Sequence, residues 1–320
     1  MTSNVSSVGR GQAGRARVIS TRTWEMLKKA LRRPQFWFGL TMLVPMAAWY
    51  WIFSFRPIVR AFRMSTVTYK ILEPENSPFV GFDNFVKISR HPLFLASVQN
   101  TLTWAVLAFV FMLPLALAIS VALSKVRRGR NAYQTLIFVP QVVSLVAVSL
   151  LFRMLMDPEV GQLNKLLSAV GLPKFQWLSD SATALPTAVL IGVWKGVGFH
   201  IVILTAGLIN IPAELYDAAL VDGANAWQQF WRVTLPLLGH TLMLITVLLA
   251  IGALQEFTLP NVLTDGGPGH ATFLYNLLIY QEAFTDMRFG TATAAALMQF
   301  AFILLISVLQ IKLIRPKWSY

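Results

Sequence analysis

Residues 214–238, ELYDAALVDGANAWQQFWRVTLPLL, form a polar segment between two long apolar runs. The segment contains three carboxylates, two glutamines and one arginine, whereas the 320-residue chain is 56% hydrophobic and only 13% charged. Soluble proteins carry about 25% charged residues, and apolar runs of about 20 residues are long enough to cross a bilayer as helices. The segment is therefore predicted to be a water-exposed connection between two membrane spans.

The apolar runs predict six transmembrane helices, because a helix pairs its own backbone groups inside lipid. The predicted spans are residues 36–55, 98–123, 135–156, 184–209, 237–257 and 291–314. The third span contains Pro140, which removes a helical hydrogen bond and is tolerated where neighbouring helices or water compensate. We expect an all-α, polytopic membrane protein, with a basic N-terminal tail at 1–35, a six-span domain at 36–314 and a C-terminal tail at 315–320.

The distribution of lysine and arginine predicts the orientation of the chain. Basic residues are most numerous in the N-terminal tail, after the second span and at the C-terminus, and cytoplasmic loops are enriched in such residues. Both termini are therefore expected to be cytoplasmic, although the loop after the first span also holds six cations. The net charge of +13 is attributed to topology and to anionic lipid, and no nucleic-acid partner is expected.

The sequence lacks common catalytic signatures. It has no G-x-x-x-x-G-K-[ST] loop for nucleotide phosphates and no G-x-S-x-G nucleophile motif. The four histidines do not occur at i, i+4 spacing and the chain has no cysteine, so a metal site is not expected. We therefore predict that the chain is not an enzyme and binds no cofactor itself.

Polar residues within the predicted spans are candidates for a substrate pathway, because such groups usually line cavities or pair with one another. The candidates are Gln141, Ser144, Trp194, Lys195, Gln255 and Glu256. One interpretation is that they make structural contacts between helices. The alternative is a route for a polar solute such as a sugar, whose hydroxyls bind polar groups and whose C–H faces pack on aromatic rings.

Within the polar segment, the order of helix-terminating residues predicts two short helices. Pro212 suits the first turn of the first helix, and Gly223 suits the positive φ that ends it. Asn225 can cap the second helix, with Gln228 completing a capping box. Pro236 is expected to open the fifth span.

The first of these two helices has an acidic face. At 100° per residue, Glu214, Asp217 and Asp222 share one broad side, and Glu214 lies near the positive helix end, where a carboxylate is stabilised. The segment could dock on a partner through this face, or it could be a solvated amphipathic loop. The residue pattern alone leaves both interpretations open.

The spacing of the same segment resembles a known family motif. The run Asp217-Ala218-Ala219, then Gly223, then Val233-x-Leu235-Pro236 resembles the EAA loop of ABC-importer permeases, E-A-A-x3-G-x9-I-x-L-P, with Asp for Glu and Val for Ile. The resemblance implies a cytoplasmic coupling helix within residues 210–236 that contacts a separate ATPase subunit, which would bind ATP and Mg²⁺. The implied coupling residues are Glu214, Asp217, Ala218, Ala219, Gly223 and Pro236.

Further stretches resemble the carbohydrate-uptake branch of this family, namely VGFDNFVKI at 80–88, FVPQVVSLVAVSLLF at 138–152, WKGVGFH at 194–200 and LTDGGPG at 263–269. The chain resembles the first permease of a maltose- or glycerol-phosphate-type pair. The resemblance implies a sugar importer in a bacterial or archaeal cell (inner) membrane. Its implied partners are a second homologous permease, an ABC ATPase dimer and an extracytoplasmic solute-binding protein, which residues 80–87 and 266–269 would approach.

The alternative from another functional class is an ion-coupled secondary transporter. Such a protein would need carboxylates at the membrane midplane, or broken helices in two repeated halves. The sequence offers one acidic candidate, Glu256, and no internal repeat.

Overall fold

The computed structural model describes residues 34–126 and 128–314. Most of the predicted basic tail at 1–35, together with Arg127 and the predicted C-terminal tail at 315–320, lies outside the described residues. In the described part of the chain, all regular structure is helical apart from one isolated bridge between Val67 and Phe79. The expected all-α fold class is confirmed.

The helices are numbered here in chain order. They are α1 Pro34–Tyr50, α2 Arg56–Ser65, α3 Asp83–Ser89, α4 Phe94–Ser124, α5 Arg130–Val142, α6 Leu145–Leu155, α7 Gln162–Ala169, α8 Ser181–Ile209, α9 Ala213–Val221, α10 Ala226–Gln229, α11 Leu235–Leu237, α12 Gly239–Leu254, α13 Thr258–Thr264, α14 Tyr275–Tyr280 and α15 Phe289–Leu313. Short π-helical segments at Trp51–Phe55, Phe230–Thr234 and Gln281–Thr285 continue α1, α10 and α14, and a 3-10 turn lies at Pro74–Asn76.

Among the described residues, 34–61 form one compact unit and 62–314 form a second. In the first unit, α1 passes through the π-helical turn Trp51–Phe55 directly into α2. Aromatic rings stack along this turn, with 4.3 Å between the ring centroids of Trp49 and Phe53. Helix α1 is apolar around most of its surface and has no buried residue, as a lipid-facing span requires, whereas α2 carries three arginines.

The described residues contain four helices long and apolar enough to cross a membrane, or six if each of two bent helix pairs counts as one span. The four are the continuous helix Pro34–Ser65, α4, α8 and α15. They enclose the predicted spans at 36–55, 98–123 and 184–209, and nearly all of the predicted span at 291–314. The positions of these spans therefore follow directly from the apolar runs.

The third predicted span, 135–156, is not a single helix. It consists of α5 and α6, which meet at an angle of 86°. Val143 is extended, with φ −68° and ψ 142°, and Ser144 also leaves the helical region. Pro140 in the last turn of α5 has no N–H to donate, so the helical hydrogen bonding is already weakened before the break.

The fifth predicted span, 237–257, also differs from expectation. The helix from α10 continues through the π-helical turn Phe230–Thr234 into α11, and a 72° bend then separates it from α12. Pro236 therefore lies before the bend, rather than at the start of the span. Pro236 cannot donate a backbone hydrogen bond, and Gly239 begins α12. Helical hydrogen bonding is therefore weakened at this bend.

The core of the second unit is built around α4 and α8. Ala116, Ala188, Ile201 and Leu204 are fully buried there, and small side chains let the two helices approach closely. Helix α5 approaches α8 even more closely at Gly198, where a Cβ atom would lie 2.5 Å from the carbonyl oxygen of Ile137. The glycine is therefore required by the position of the α5 backbone.

The second unit has two distinct ends. At one end, the side-chain amide of Asn100 donates to the carbonyl of His270 at 2.8 Å, which ties the start of α4 to the segment after Gly269. At the other end, Leu208, Ile211 and Leu238 form a small buried cluster with the last turns of α4. Helix α8 has 29 residues and is therefore about 44 Å long, so the 210–236 segment lies far from the 157–180 connection.

Candidate functional site

A cavity of about 280 Å³ lies among α4, α5, α6, α8, α12 and α13. It is deep in the second unit, beside the break in the third span and at the end of α12. Residues from every one of these helices contribute to its wall, together with Glu256 just after α12. The residues that line the cavity include Trp104, Met112, Gln141, Gly192, Lys195, Gly196, His200, Gly252, Glu256 and Leu259.

Lys195 is held at this cavity by the broken third span. Its Nζ atom donates to the carbonyl oxygen of Gln141 at 3.2 Å. Gln141 lies in the last turn of α5, where carbonyl groups lack helical partners and carry partial negative charge. The break after Val142 therefore creates the acceptor that positions the lysine.

Glu256 has a structural partner as well as a place on the cavity wall. Its Oε1 atom accepts from the backbone N–H groups of Phe257 at 3.1 Å and Leu259 at 3.0 Å. These N–H groups are at the start of α13, so the carboxylate caps the positive end of that helix. Because both Glu256 and Lys195 line the cavity, the wall carries one group of each charge sign.

The cavity brings together half of the residues predicted for the pathway. Gln141, Lys195 and Glu256 line it, whereas Ser144, Trp194 and Gln255 do not. Ser144 is exposed at the start of α6, and Gln255 is exposed at the end of α12. Trp194 is 46% exposed and packs edge-on against Phe152, with 5.4 Å between ring centroids.

Several cavity residues were missed from the sequence. Gly192, Gly196 and His200 recur every four residues along α8, so they share one side of the helix and face the cavity. His200 is nearly buried, and its Nδ1 donates to the carbonyl of Gly196 at 3.2 Å. The i, i+4, i+8 spacing next to Lys195 is the signal that could have identified this wall.

The turn between the two short helices of the polar segment is built as the sequence predicts. Gly223 has φ +77°, and the N–H groups of Gly223 and Ala224 donate to Leu220 and Ala219 at 3.0 and 2.9 Å, a Schellman arrangement. Asn225 and Gln228 form the expected capping box. Pro212 precedes α9 as its N-cap residue, rather than lying in its first turn.

The surface of α9 is largely uncovered. Glu214, Asp217 and Ala218 are exposed and Ala219 is half-buried, and Val221 is 89% exposed. The helix is tied to the rest of the segment by Tyr216, whose hydroxyl lies 3.0 Å from the Thr234 hydroxyl. A fixed helix with exposed aliphatic and acidic side chains is suited to contact another protein.

Residues 113–319 match the family described as binding-protein-dependent transport system inner membrane component. A "Probable ABC transporter permease protein YurN" of Bacillus subtilis is 32% identical over 84% of this chain and 93% of its own length. A diacetylchitobiose uptake system permease protein of Streptomyces coelicolor is 33% identical, covering 78% of this chain and 74% of that protein. An arabinooligosaccharides transport system permease protein of Halalkalibacterium halodurans is 32% identical, covering 81% and 82%.

A solved structure agrees with these relatives. A chain of a bacterial ABC transporter involved in the import of the acidic polysaccharide alginate superposes with a TM-score of 0.79 and 27% identity, covering 93% of this chain and 100% of that chain. The relatives give no support to the ion-coupled alternative. With apolar spans, a polar 210–236 segment and a family match over residues 113–319, the chain is a multi-pass membrane protein that belongs to the inner-membrane components of binding-protein-dependent transport systems.

Proposed function

We propose that the chain is one of two permease subunits in an ATP-driven, binding-protein-dependent importer of carbohydrates. The observation that carries this proposal is the shared substrate class of its relatives, whose names specify diacetylchitobiose, arabinooligosaccharides and, at 29% identity, trehalose and maltose. The similar solved structure is an alginate importer. An oligosaccharide, a polyol or a related carbohydrate is therefore the expected cargo.

The chemistry of the cavity supports a carbohydrate pathway. Lys195 can donate to a hydroxyl and Glu256 can accept from one, and both line the cavity. Because the cavity wall combines one cation with one carboxylate, a neutral sugar can bind without leaving an unbalanced charge.

The cavity described in this chain is one half of the proposed pathway. At about 280 Å³ it is slightly smaller than the usual range for small-molecule sites, about 300–1,000 Å³. Ser144, Trp194 and Gln255 are exposed outside it, and we propose that they face the second permease. The complete pathway would then lie between the two homologous subunits.

The 210–236 segment is the proposed coupling element. Its exposed α9 would dock on an ABC ATPase dimer, which binds ATP and Mg²⁺, through Glu214, Asp217, Ala218 and Ala219. Gly223 and Pro236 would determine the direction of the chain that follows the docked helix. On this assignment, 210–236 and both termini would be cytoplasmic.

The opposite end of the second unit is the proposed receptor for the solute-binding protein. Residues 80–87 lie at the same end as the start of α4, because α3 ends at Ser89 and α4 begins at Phe94. Residues 266–269 lie there too, because Asn100 near the start of α4 donates to the carbonyl of His270. A related alginate transporter has been solved in complex with an alginate pentasaccharide-bound periplasmic protein. A corresponding extracytoplasmic protein would deliver the sugar to this end.

Two measurements test the proposal. A melting-shift screen of the cognate solute-binding protein against a panel of neutral and acidic sugars identifies the cargo. Uptake of that cargo into proteoliposomes is then compared for Lys195→Met, Glu256→Gln and the matched control Lys312→Met, whose lysine is exposed at the end of α15. We expect both cavity variants to lose uptake while the control retains it. Unchanged uptake in both cavity variants would reject the cavity as the pathway.

A further inference from the structure

The connection between α6 and α8, residues 157–180, has a fixed shape. Asn164 is only 1% exposed, and its side-chain amide donates to the carbonyls of Pro158 and Phe175, each at 3.1 Å. Its carbonyl oxygen accepts from the N–H of Phe175 at 3.1 Å and from the indole of Trp177 at 3.0 Å. Every hydrogen-bonding site of this asparagine is used, so the connection presents a rigid outer surface.

Helix α7 in this connection has an apolar arc that the protein covers only in part. At 100° per residue, Leu163, Leu166, Leu167 and Val170 lie within one arc of the helix. Leu163 packs against the core, whereas Leu166 is 64% and Val170 is 72% exposed. The exposed part of this arc is not covered by the protein. We define the uncovered edge as Leu166, Val170 and Leu172, of which Leu172 follows the helix and is 53% exposed.

The position of α7 along the chain places it at the membrane surface. The connection begins two residues after α6 ends at Leu155 and finishes where α8 begins at Ser181. Both helices belong to predicted membrane spans, and Asn164 ties α7 to Pro158, three residues after α6 ends. Helix α7 therefore cannot lie far from the boundary between lipid and water.

The charges next to the uncovered edge in the sequence are basic, whereas Glu159, which is also exposed, lies seven residues before Leu166. Lys165 and Lys174 are exposed. Asp157 caps the backbone of Glu159 and Val160, each at 2.9 Å, and Asp180 caps the start of α8 at Ala182 at 3.0 Å. Asp157 and Asp180 are thus held in local capping bonds, and Lys165 and Lys174 are the charges beside the edge that can meet anions.

We propose that α7 is an interfacial helix, with its uncovered edge inserted at the boundary between headgroups and acyl chains and its lysines next to lipid phosphates. The composition favours lipid over a protein partner, because protein interfaces are enriched in aromatic residues and arginine and depleted in lysine. Aliphatic side chains flanked by lysines are typical of helices that lie in the plane of a membrane. The helix would fix the depth of α6 and α8, which carry the cavity.

Single spin labels test this proposal directly, because the natural chain has no cysteine. Leu166→Cys and Val170→Cys place labels on the uncovered edge, and Ser168→Cys places one on the opposite, exposed side of the same helix. The labelled full chain is reconstituted in nanodiscs of phosphatidylethanolamine and phosphatidylglycerol. Collision rates are then measured with oxygen, which concentrates in lipid, and with a neutral nickel chelate, which stays in water.

We expect the ratio of oxygen to nickel collisions to be severalfold higher at positions 166 and 170 than at 168. Equal ratios at all three positions, with frequent nickel collisions, would show a solvated helix and overturn the proposal. Low collision rates with both reagents at 166 and 170 would show that protein covers the edge, and would overturn it equally. Because the labels report position and not transport, the result is independent of the proposed cargo.

Discussion

The close approach of α5 to α8 gives a prediction whose size can be worked out from the structure. Replacing Gly198 with alanine would place a Cβ atom 2.5 Å from the carbonyl oxygen of Ile137 and 3.1 Å from the Cα of Phe138. Carbon atoms normally contact neighbours at about 3.5–4.0 Å. Both obstacles are backbone atoms, so no side-chain rotation relieves the clash and α5 must move away.

The matched control is Gly252→Ala, on α12 and also beside the cavity. There an added Cβ meets nothing within 4 Å. Each substitution gains about 0.5–1 kcal/mol of helix propensity, so this gain cancels when the two variants are compared. The remaining difference is the cost of overpacking at position 198, which is about 1–3 kcal/mol.

The assay is reversible unfolding of the purified chain in mixed micelles, followed by helical circular dichroism. We expect the free energy of unfolding of Gly198→Ala to be about 1–3 kcal/mol lower than that of Gly252→Ala. We also expect Gly198→Ala to lose uptake, because moving α5 shifts the Gln141 carbonyl away from Lys195. Equal stabilities for the two variants would show that α5 and α8 are not in backbone contact, and would refute this account of the packing.

Further predictions follow from the polar segment and the 157–180 connection. Asp217→Lys should uncouple ATP hydrolysis from uptake without loss of membrane insertion; retained coupling in the reconstituted complex would contradict the docking role. Gly223→Val should destabilise the turn by about 1–2 kcal/mol, because its φ of +77° is costly for an L-residue, and hydrogen exchange of α9 measures this. Asn164→Leu would leave the polar groups that bond to Asn164 without a partner, and each buried unpaired group costs about 1–3 kcal/mol. The variant should therefore have a lower melting temperature and faster protease cleavage within residues 157–180. Unchanged cleavage would argue against a rigid connection. Hydrogen bonds from the Val160 and Glu159 N–H groups hold the pKa of Asp157 below its ordinary value of 3.8, so this cap is fully present above pH 3.8 and is lost as the pH falls through the lowered pKa. A lower exchange protection factor at Val160 on acidification, absent in Asp157→Asn, checks this.

The long spans could be predicted from the sequence because lipid imposes a simple requirement on length and polarity. The runs that contain α4, α8 and α15 are apolar over a full membrane thickness, and their helices follow those runs closely. Local chemistry was equally informative in the polar segment. The positive φ of Gly223 and the capping box at Asn225 depend only on residues within one turn.

The bent spans could not be predicted in the same way. Pro140 marks a weak point, but the 86° bend comes three to four residues later, at Val143 and Ser144. A proline does not determine the direction of the chain beyond it. The closeness of α5 to α8 at Gly198 selects one direction, and that contact joins residues far apart in the sequence.

The sequence alone thus determined the all-helical membrane fold, the positions of most spans and the family motif in 210–236, because each depends on local composition or spacing. Only the tertiary structure decided which polar residues share a cavity. Lys195 meets Gln141 across 54 positions of sequence, through a carbonyl that is free only because α5 ends there. Glu256 joins the same wall because α12 ends at Leu254, whereas Ser144, Trp194 and Gln255 remain outside. Hydropathy reports whether a residue can enter a span, but the side it faces depends on how the helices bend and pack.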